Sequence, residues 1–126
     1  CLGHQCIGSV FGCTVEQYYD IKHGEASKIN LRNSIIYEGL SSEIVAARYH
    51  SLYIASASFN DADLKVNAFL DDGTIMGIEH RKYPVFGVQF HPESILTGVN
   101  GARILNNFLN LSKHFYDIKL GTQTND

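Results

Sequence analysis

The 126 residues suffice for one domain with a core of its own and not for two. Hydrophobic residues are 44% and charged residues 18%, an ordinary balance for a soluble globular chain. A net charge of −3 argues against nucleic acid as a partner, and no apolar run approaches the roughly 20 residues of a membrane span.

The chain opens with "CLGHQCIG". Leu2, Cys6, Val10 and Phe11 recur at helical spacing and Gly12 offers a stop, so a short helix begins directly after Cys1. Residues 20–33 are polar and read as a loop. "SIIYEGL" (34–40) and "EIVAARYH" (43–50) read as strands. "LKVNAFL" (64–70) alternates Leu64, Val66, Ala68 and Leu70 as a half-buried strand does. "DDG" (71–73) turns it back into "TIMGIEH" (74–80), the second arm of a hairpin. The run at His80–Lys82 is the one dense basic spot and reads as a solvated turn. "VFGVQF" (85–90) is almost continuously apolar, like a strand buried on both faces. A second helix follows over 99–111, with Ala102, Leu105, Phe108 and Leu109 on its apolar face, and 111–126 is a polar tail. The class is α/β.

Three cysteines, Cys1, Cys6 and Cys13, are an odd number without a CxxC, which fits a reducing compartment better than a disulfide scaffold. The six histidines lack metal-ligand spacing, so no metal site is expected. Cys6 and Cys13 read as helix-packing residues.

Cys1 is different. A thiol at a helix N-terminus sits where the dipole and the free N–H groups favour negative charge, which makes it a nucleophile. Gly3 matches the second glycine of a G-x-nucleophile-x-G turn, in which the Leu2 N–H would be one oxyanion donor. On these residues alone Cys1 is either an N-terminal nucleophile with its own amine as base, an internal residue of a longer protein, or a structural thiol. "FHPES" (90–94) holds a candidate base and its orienting group. His91 and Glu93 are two apart, hence on one side of an extended segment, and Pro92 favours that geometry. The pair lies at the end of a buried run, where α/β sheets place their sites.

"CLGHQ" and the distant "FHPES" together resemble the class I, triad-type glutamine amidotransferases. The likeness continues through "HGEAS" (23–27), "ARYHSL" (47–52), "DGTIMGIEHR" (72–81) and "GVQFHPESILT" (87–97), and runs from Cys1 to about Leu111. These segments are most similar to the glutaminase subunits of anthranilate synthase and of aminodeoxychorismate synthase. The resemblance implies a three-layer α/β fold with a mostly parallel sheet and flanking helices. It also implies that residues 1–126 are the C-terminal portion of one amidotransferase domain whose N-terminal part is missing, and that this portion alone is a poor glutaminase.

The same resemblance implies a Cys1–His91–Glu93 triad that hydrolyses glutamine, with Leu2, Gln5, Ser51 and Leu52 at the bound glutamine. It implies ammonia delivery to a chorismate-using synthase partner and no cofactor in this chain, with Mg²⁺ only in that partner. It implies a cytoplasmic protein, or a plastid one in a photosynthetic eukaryote. Partner contacts are expected at His23–Ser27, where Glu25 replaces the lysine common in related chains. The other readings are a stand-alone γ-glutamyl peptidase and a non-catalytic assembly subunit. An intact triad speaks against the second.

Overall fold

The computed structural model describes residues 1–19, 21–22 and 24–124, apart from the side chains of 119–124. Helix α1 spans Leu2–Val10. It stops where expected: Gly12, at φ +87°, donates to the Ser9 carbonyl at 3.1 Å, and Cys13 donates to Gly8 at 2.8 Å. These paired bonds satisfy carbonyls the helix would otherwise leave open, and a left-handed residue at this position favours glycine. Strands follow at Val15–Gln17 (β1), Glu25–Leu31 (β2), Glu43–Arg48 (β3), Leu52–Ile54 (β4), Leu64–Phe69 (β5), Ile75–His80 (β6) and Phe86–Val88 (β7). The long helix Gly98–Thr124 (α2) comes last.

Five strands form one sheet in the order β3-β2-β5-β6-β7, and β1 pairs with β4 separately. The chain is α/β, as its residues indicated. Every ladder among the described residues is antiparallel, however, whereas the resemblance implied a mostly parallel sheet. The connections explain this. Parallel neighbours need a crossover of a dozen or more residues, usually helical, while β5, β6 and β7 are joined by short turns. The sheet also curls: His91, just beyond β7, forms an antiparallel bridge with Ala47 of β3, at the opposite end of the strand order. His91, one of the candidate site residues, sits at this seam.

One core cluster joins Ile29, Ile44, Ala46, Met76 and Phe90 to Ile104 of α2. A second joins Leu64, Ile75 and Ile78 to Cys13 and Ile54, with Ile7 and Phe11 of α1 packed against it. Layers thus lie on both faces of the sheet. No helix among the described residues is long and apolar enough to cross a membrane.

Several elements differ from expectation. Residues 25–31 are a strand where a loop was expected, paired with β3 from Glu25↔Arg48 to Asn30↔Glu43. Only Ile29 and Leu31 point into the core, so alternation is confined to the second half. Residues 34–40 are not a strand: Ile35–Tyr37 form a 3₁₀ turn. The Asn107 side chain of α2 donates to the Ile36 and Glu38 carbonyls at 3.0 and 2.9 Å, so those groups need no ladder. The Tyr37 hydroxyl donates to buried Asn67 Oδ1 at 2.9 Å, and Asn67 Nδ2 donates to Glu79 Oε1 at 3.1 Å. Asn67 lies where the β5–β6 register shifts, which breaks the alternation read from 64–70.

Both helices present other faces than their apolar spacing suggested. In α1, Leu2, Cys6 and Val10 are exposed, and His4, Gln5 and Gly8 are buried. In α2, Ile104 and Gly101 are buried, Ala102 and Leu109 are exposed, and Leu105 and Phe108 are largely so. Helix α2 also runs through 111–124, where a polar tail was expected. Cys13 is buried as a packing residue, whereas Cys6 is not.

Candidate active site

Cys1 is the N-cap of α1, with no side-chain cap of its own. Its nitrogen donates to the Val88 carbonyl at 2.9 Å, which ties the start of the helix to β7. Gly87 lets the two elements come this close, because a Cβ there would sit 2.8 Å from the His4 Cα. Leu2 is 72% exposed. Its N–H belongs to the first turn, where amides have no intrahelical acceptor, and so remains suited to an oxyanion.

Among the described residues, the sulfur of Cys1 has three polar neighbours. Gln89 Nε2 lies 3.2 Å away, Gln5 Nε2 3.7 Å, and the Tyr49 carbonyl oxygen 3.8 Å. Gln5, one turn along α1, also donates to the Leu52 carbonyl at 3.3 Å and to Gln89 Oε1 at 3.3 Å. The structure therefore unites Cys1, Gln5 and Leu52. Ser51 is next to them, with an exposed side chain and its carbonyl turned to the Tyr18 N–H at 2.7 Å.

His91 is held by its backbone. Its N–H donates to Ala47 at 2.9 Å, and its carbonyl accepts from Thr97 Oγ1 at 2.7 Å. The same Thr97 oxygen accepts from the Ala47 N–H at 2.9 Å, so buried Thr97 clamps the segment onto β3. On the ring, Nδ1 lies 2.6 Å from Glu93 Oε1, while Nε2 is buried and has no hydrogen-bond partner among the described residues. A carboxylate is an acceptor, so Nδ1 carries the hydrogen and Nε2 of the neutral ring is the acceptor. Burial alone would raise the Glu93 carboxyl. The hydrogen bond from His91 and the bond from its own backbone outweigh that, so it titrates below its ordinary value. The His91 ring rests edge-on against Tyr49 at 5.2 Å, and the Tyr49 carbonyl faces the sulfur. Tyr49 thus lies between the nucleophile candidate and the base candidate.

Two participants were not singled out from the sequence. Gln89 is wholly buried and touches the sulfur, yet it stands inside what reads as an apolar strand. Its signal was available: Gln89, His91 and Glu93 recur at period two, with fully buried Phe90 directed into the core. Tyr49 carried no such signal. A cleft of about 640 Å³ is lined by residues between Leu31 and Ser42 with Lys65 and Glu79, and no triad candidate borders it.

Behind Leu52 lies a second polar cluster. His50 Nδ1 lies 3.0 Å from the Leu52 carbonyl, and its Nε2 accepts from Arg48 Nε at 3.1 Å. Burial pushes the His50 pKa down to about 4, with the Arg48 charge adding to the effect. This ring is therefore neutral and fixed in one tautomer. His23, at the start of the segment where partner contacts were expected, lies outside the described residues, and Glu25–Ser27 belong to β2. Glu25 pairs with Lys22 at 2.9 Å. No group of three or more His, Cys, Asp or Glu side chains converges as metal ligands would among the described residues.

The glutamine amidotransferase class-I family profile matches residues 1–111. This chain belongs to that family. It is 48% identical over 111 residues to the bifunctional protein TrpGD of Thermotoga maritima, covering 88% of this chain and 18% of that protein. It is 47% identical over 111 residues to anthranilate synthase component 2 of Cyanophora paradoxa, covering 87% of this chain and 57% of the relative. The chain thus spans little more than half the length of that component 2. Among solved structures, a putative GMP synthase subunit from Thermoplasma acidophilum superposes with a TM-score of 0.83 at 27% identity, over 94% of this chain and 58% of that one. The α/β class and the family inferred from "CLGHQ" and "FHPES" stand together with these likenesses.

Proposed function

We propose that this amidotransferase chain carries the glutamine-hydrolysing site of an anthranilate synthase, with Cys1 as nucleophile, His91 as base and acid, and Glu93 as the group that orients His91. One observation carries the reading: a histidine with Nδ1 on a carboxylate and Nε2 buried and unpartnered, packed on the residue whose carbonyl faces the Cys1 sulfur. A nucleophile, a base and an orienting acid arranged in this way suit acyl transfer.

The thiol proton passes to His91 Nε2 as sulfur bonds to the side-chain amide carbon of glutamine and the carbonyl π pair moves to oxygen. The Leu2 N–H stabilises that oxyanion. The C–N bond then breaks, and His91 returns the proton to the departing ammonia. Water adds to the thioester, giving a proton to His91. Cleavage of the C–S bond releases glutamate and restores the thiol. Gln5 and the Ser51–Leu52 segment hold the substrate's amino-acid end. The sequence needs only a thiol, an imidazole and a carboxylate, so no cofactor is assigned to this chain. Mg²⁺ is assigned to the partner.

The ammonia is passed to a chorismate-using synthase subunit, in the cytoplasm or in the plastid of a photosynthetic eukaryote. The likeness to an anthranilate synthase component 2 supports this partner. The test is Cys1→Ser in the full-length protein paired with its synthase. Glutamine-dependent anthranilate formation should vanish while ammonia-dependent formation persists. Retained glutamine-dependent synthesis would refute the assignment of the nucleophile. Loss of both would refute the division of labour.

A further inference from the structure

The orientation of two side-chain amides beside Cys1 follows from one fixed acceptor. The Leu52 carbonyl can only accept, so the Gln5 group 3.3 Å from it is the NH₂. That NH₂ also lies 3.3 Å from the Gln89 side chain, which must answer with its oxygen. The other end of the Gln89 amide is then its NH₂, and this is the end 3.2 Å from the Cys1 sulfur. The chain Leu52 carbonyl, Gln5, Gln89, Cys1 therefore runs in one direction, and it ends with an N–H aimed at sulfur.

Gln89 has little freedom to do otherwise. It is fully buried, and its backbone N–H donates to the Met76 carbonyl at 2.8 Å. The neighbouring Phe90 is equally buried on the opposite side of the segment. A buried amide makes its hydrogen bonds or carries a desolvation cost, so an N–H held at this spot is a standing donor to the sulfur.

We propose that Gln89 is a catalytic residue, whose side-chain N–H donates to the Cys1 sulfur and stabilises it as thiolate. This rests on the proposed role of Cys1 and deepens it. Donation to the charged form favours that form. The bond serves twice: when the thiol gives its proton to His91, and when the thioester breaks and sulfur departs with the bonding pair. Gln5, whose own Nε2 lies 3.7 Å from the sulfur, also holds the Gln89 amide in place. Among the described residues, the titratable groups near Cys1 include His4 and His50, both kept neutral by burial, and the His91–Glu93 pair.

The experiment follows alkylation of Cys1 by iodoacetamide from pH 5 to 10 in the full-length protein, its Gln89→Met and Gln89→Glu variants, and Gln5→Met. Loss of one hydrogen bond to a charged group corresponds to a roughly ten- to hundredfold change in equilibrium. Below the midpoint, Gln89→Met should therefore react about ten- to hundredfold more slowly, and Gln89→Glu more slowly still. Gln5→Met should fall in between. All should approach the parent rate at high pH, where every Cys1 is thiolate. A second measurement needs no Gln89 variant: the Gln89 side-chain ¹⁵N resonance of the parent should titrate with the Cys1 midpoint, and that of Cys1→Ser should not. An unchanged alkylation profile in Gln89→Met, or a flat Gln89 resonance in the parent, would overturn the proposal. The role of Cys1 would survive that result, since it stands or falls on the glutamine-dependent activity of Cys1→Ser.

Discussion

His91 Nδ1 and Glu93 Oε1 are 2.6 Å apart across a single proline, and the contact leaves Nε2 buried without a partner. The pair is local in sequence, but its place is not. Thr97 and Ala47 pin His91 to β3, while Cys1 is tied to β7 through Val88. The proposed base and nucleophile both border Tyr49 because the antiparallel sheet curls until the segment after β7 reaches β3.

His91→Asn should lower glutamine hydrolysis by about 10²–10⁴, the usual contribution of positioned proton transfer. Glu93→Gln should cost less, because the amide oxygen can still accept from Nδ1 and the Glu93 side chain is 63% exposed. Losses within one catalytic unit will not add in the double variant. Steady-state glutamate release from the three variants decides the matter. Equal losses in both single variants would show that the negative charge of Glu93 is required and its hydrogen bond alone is not enough.

The three thiols should react in the order Cys1, Cys6, Cys13. Cys1 has amide donors and a helix N-terminus beside it, Cys6 is exposed without them, and Cys13 is buried in the second core cluster. Peptide mapping after brief alkylation at neutral pH reads the order directly. Cys6 reacting as fast as Cys1 would mean that the environment of Cys1 does not activate it.

The hairpin of β5 and β6 was legible because two apolar runs flank a "DDG" turn, although the alternation read in the first arm breaks at Asn67. Cys1, His91 and Glu93 stood out because each is a reactive type in a constrained local pattern. What escaped was set by tertiary contact. Nothing in "SIIYEGL" foretells that Asn107, far along the chain, takes up two of its carbonyls. The inward face of α1 is His4, Gln5 and Gly8 because a Cβ at Gly8 would lie 2.5 Å from Ile54 Cδ1, and that approach outweighs the apolar spacing of Leu2, Cys6 and Val10. Gln89 was hidden by its neighbours: an amide within an apolar run looks like an interruption until the sulfur it serves is in view.

Gly87→Ala should separate stability from geometry. The added methyl would meet the His4 Cα at 2.8 Å and Ile7 Cδ1 at 3.1 Å, so α1 must move away from β7. Overpacking of this kind costs about 1–3 kcal/mol. The shift also carries Cys1, and a displacement of about 1 Å at reacting atoms can cost roughly a hundredfold in rate. Thermal unfolding and glutamate release together should show a folded protein with a disproportionate loss of kcat. Full activity with a lowered Tm would mean that Cys1 tolerates movement of its helix.

Acid should destabilise the fold through His4 and His50. Burial lowers His4 from 6.5 to about 3 and His50 from 6.5 to about 4, so both rings are neutral when folded and take up protons once unfolded. The sign follows from linkage. Where the unfolded chain binds more protons, stability rises with pH, so this stabilisation is complete above 6.5 and is lost as pH falls from there toward 4. Unfolding near pH 5 should take up about one proton per ring. Urea midpoints at pH 7 and pH 5 measure the loss. His50→Gln can keep an acceptor for Arg48 and a donor for the Leu52 carbonyl but cannot titrate, so it should retain more of its pH 7 stability at pH 5 than the parent does. An identical pH dependence in parent and variant would show that His50 is protonated in the folded state, and that its bond from Arg48 Nε does not hold.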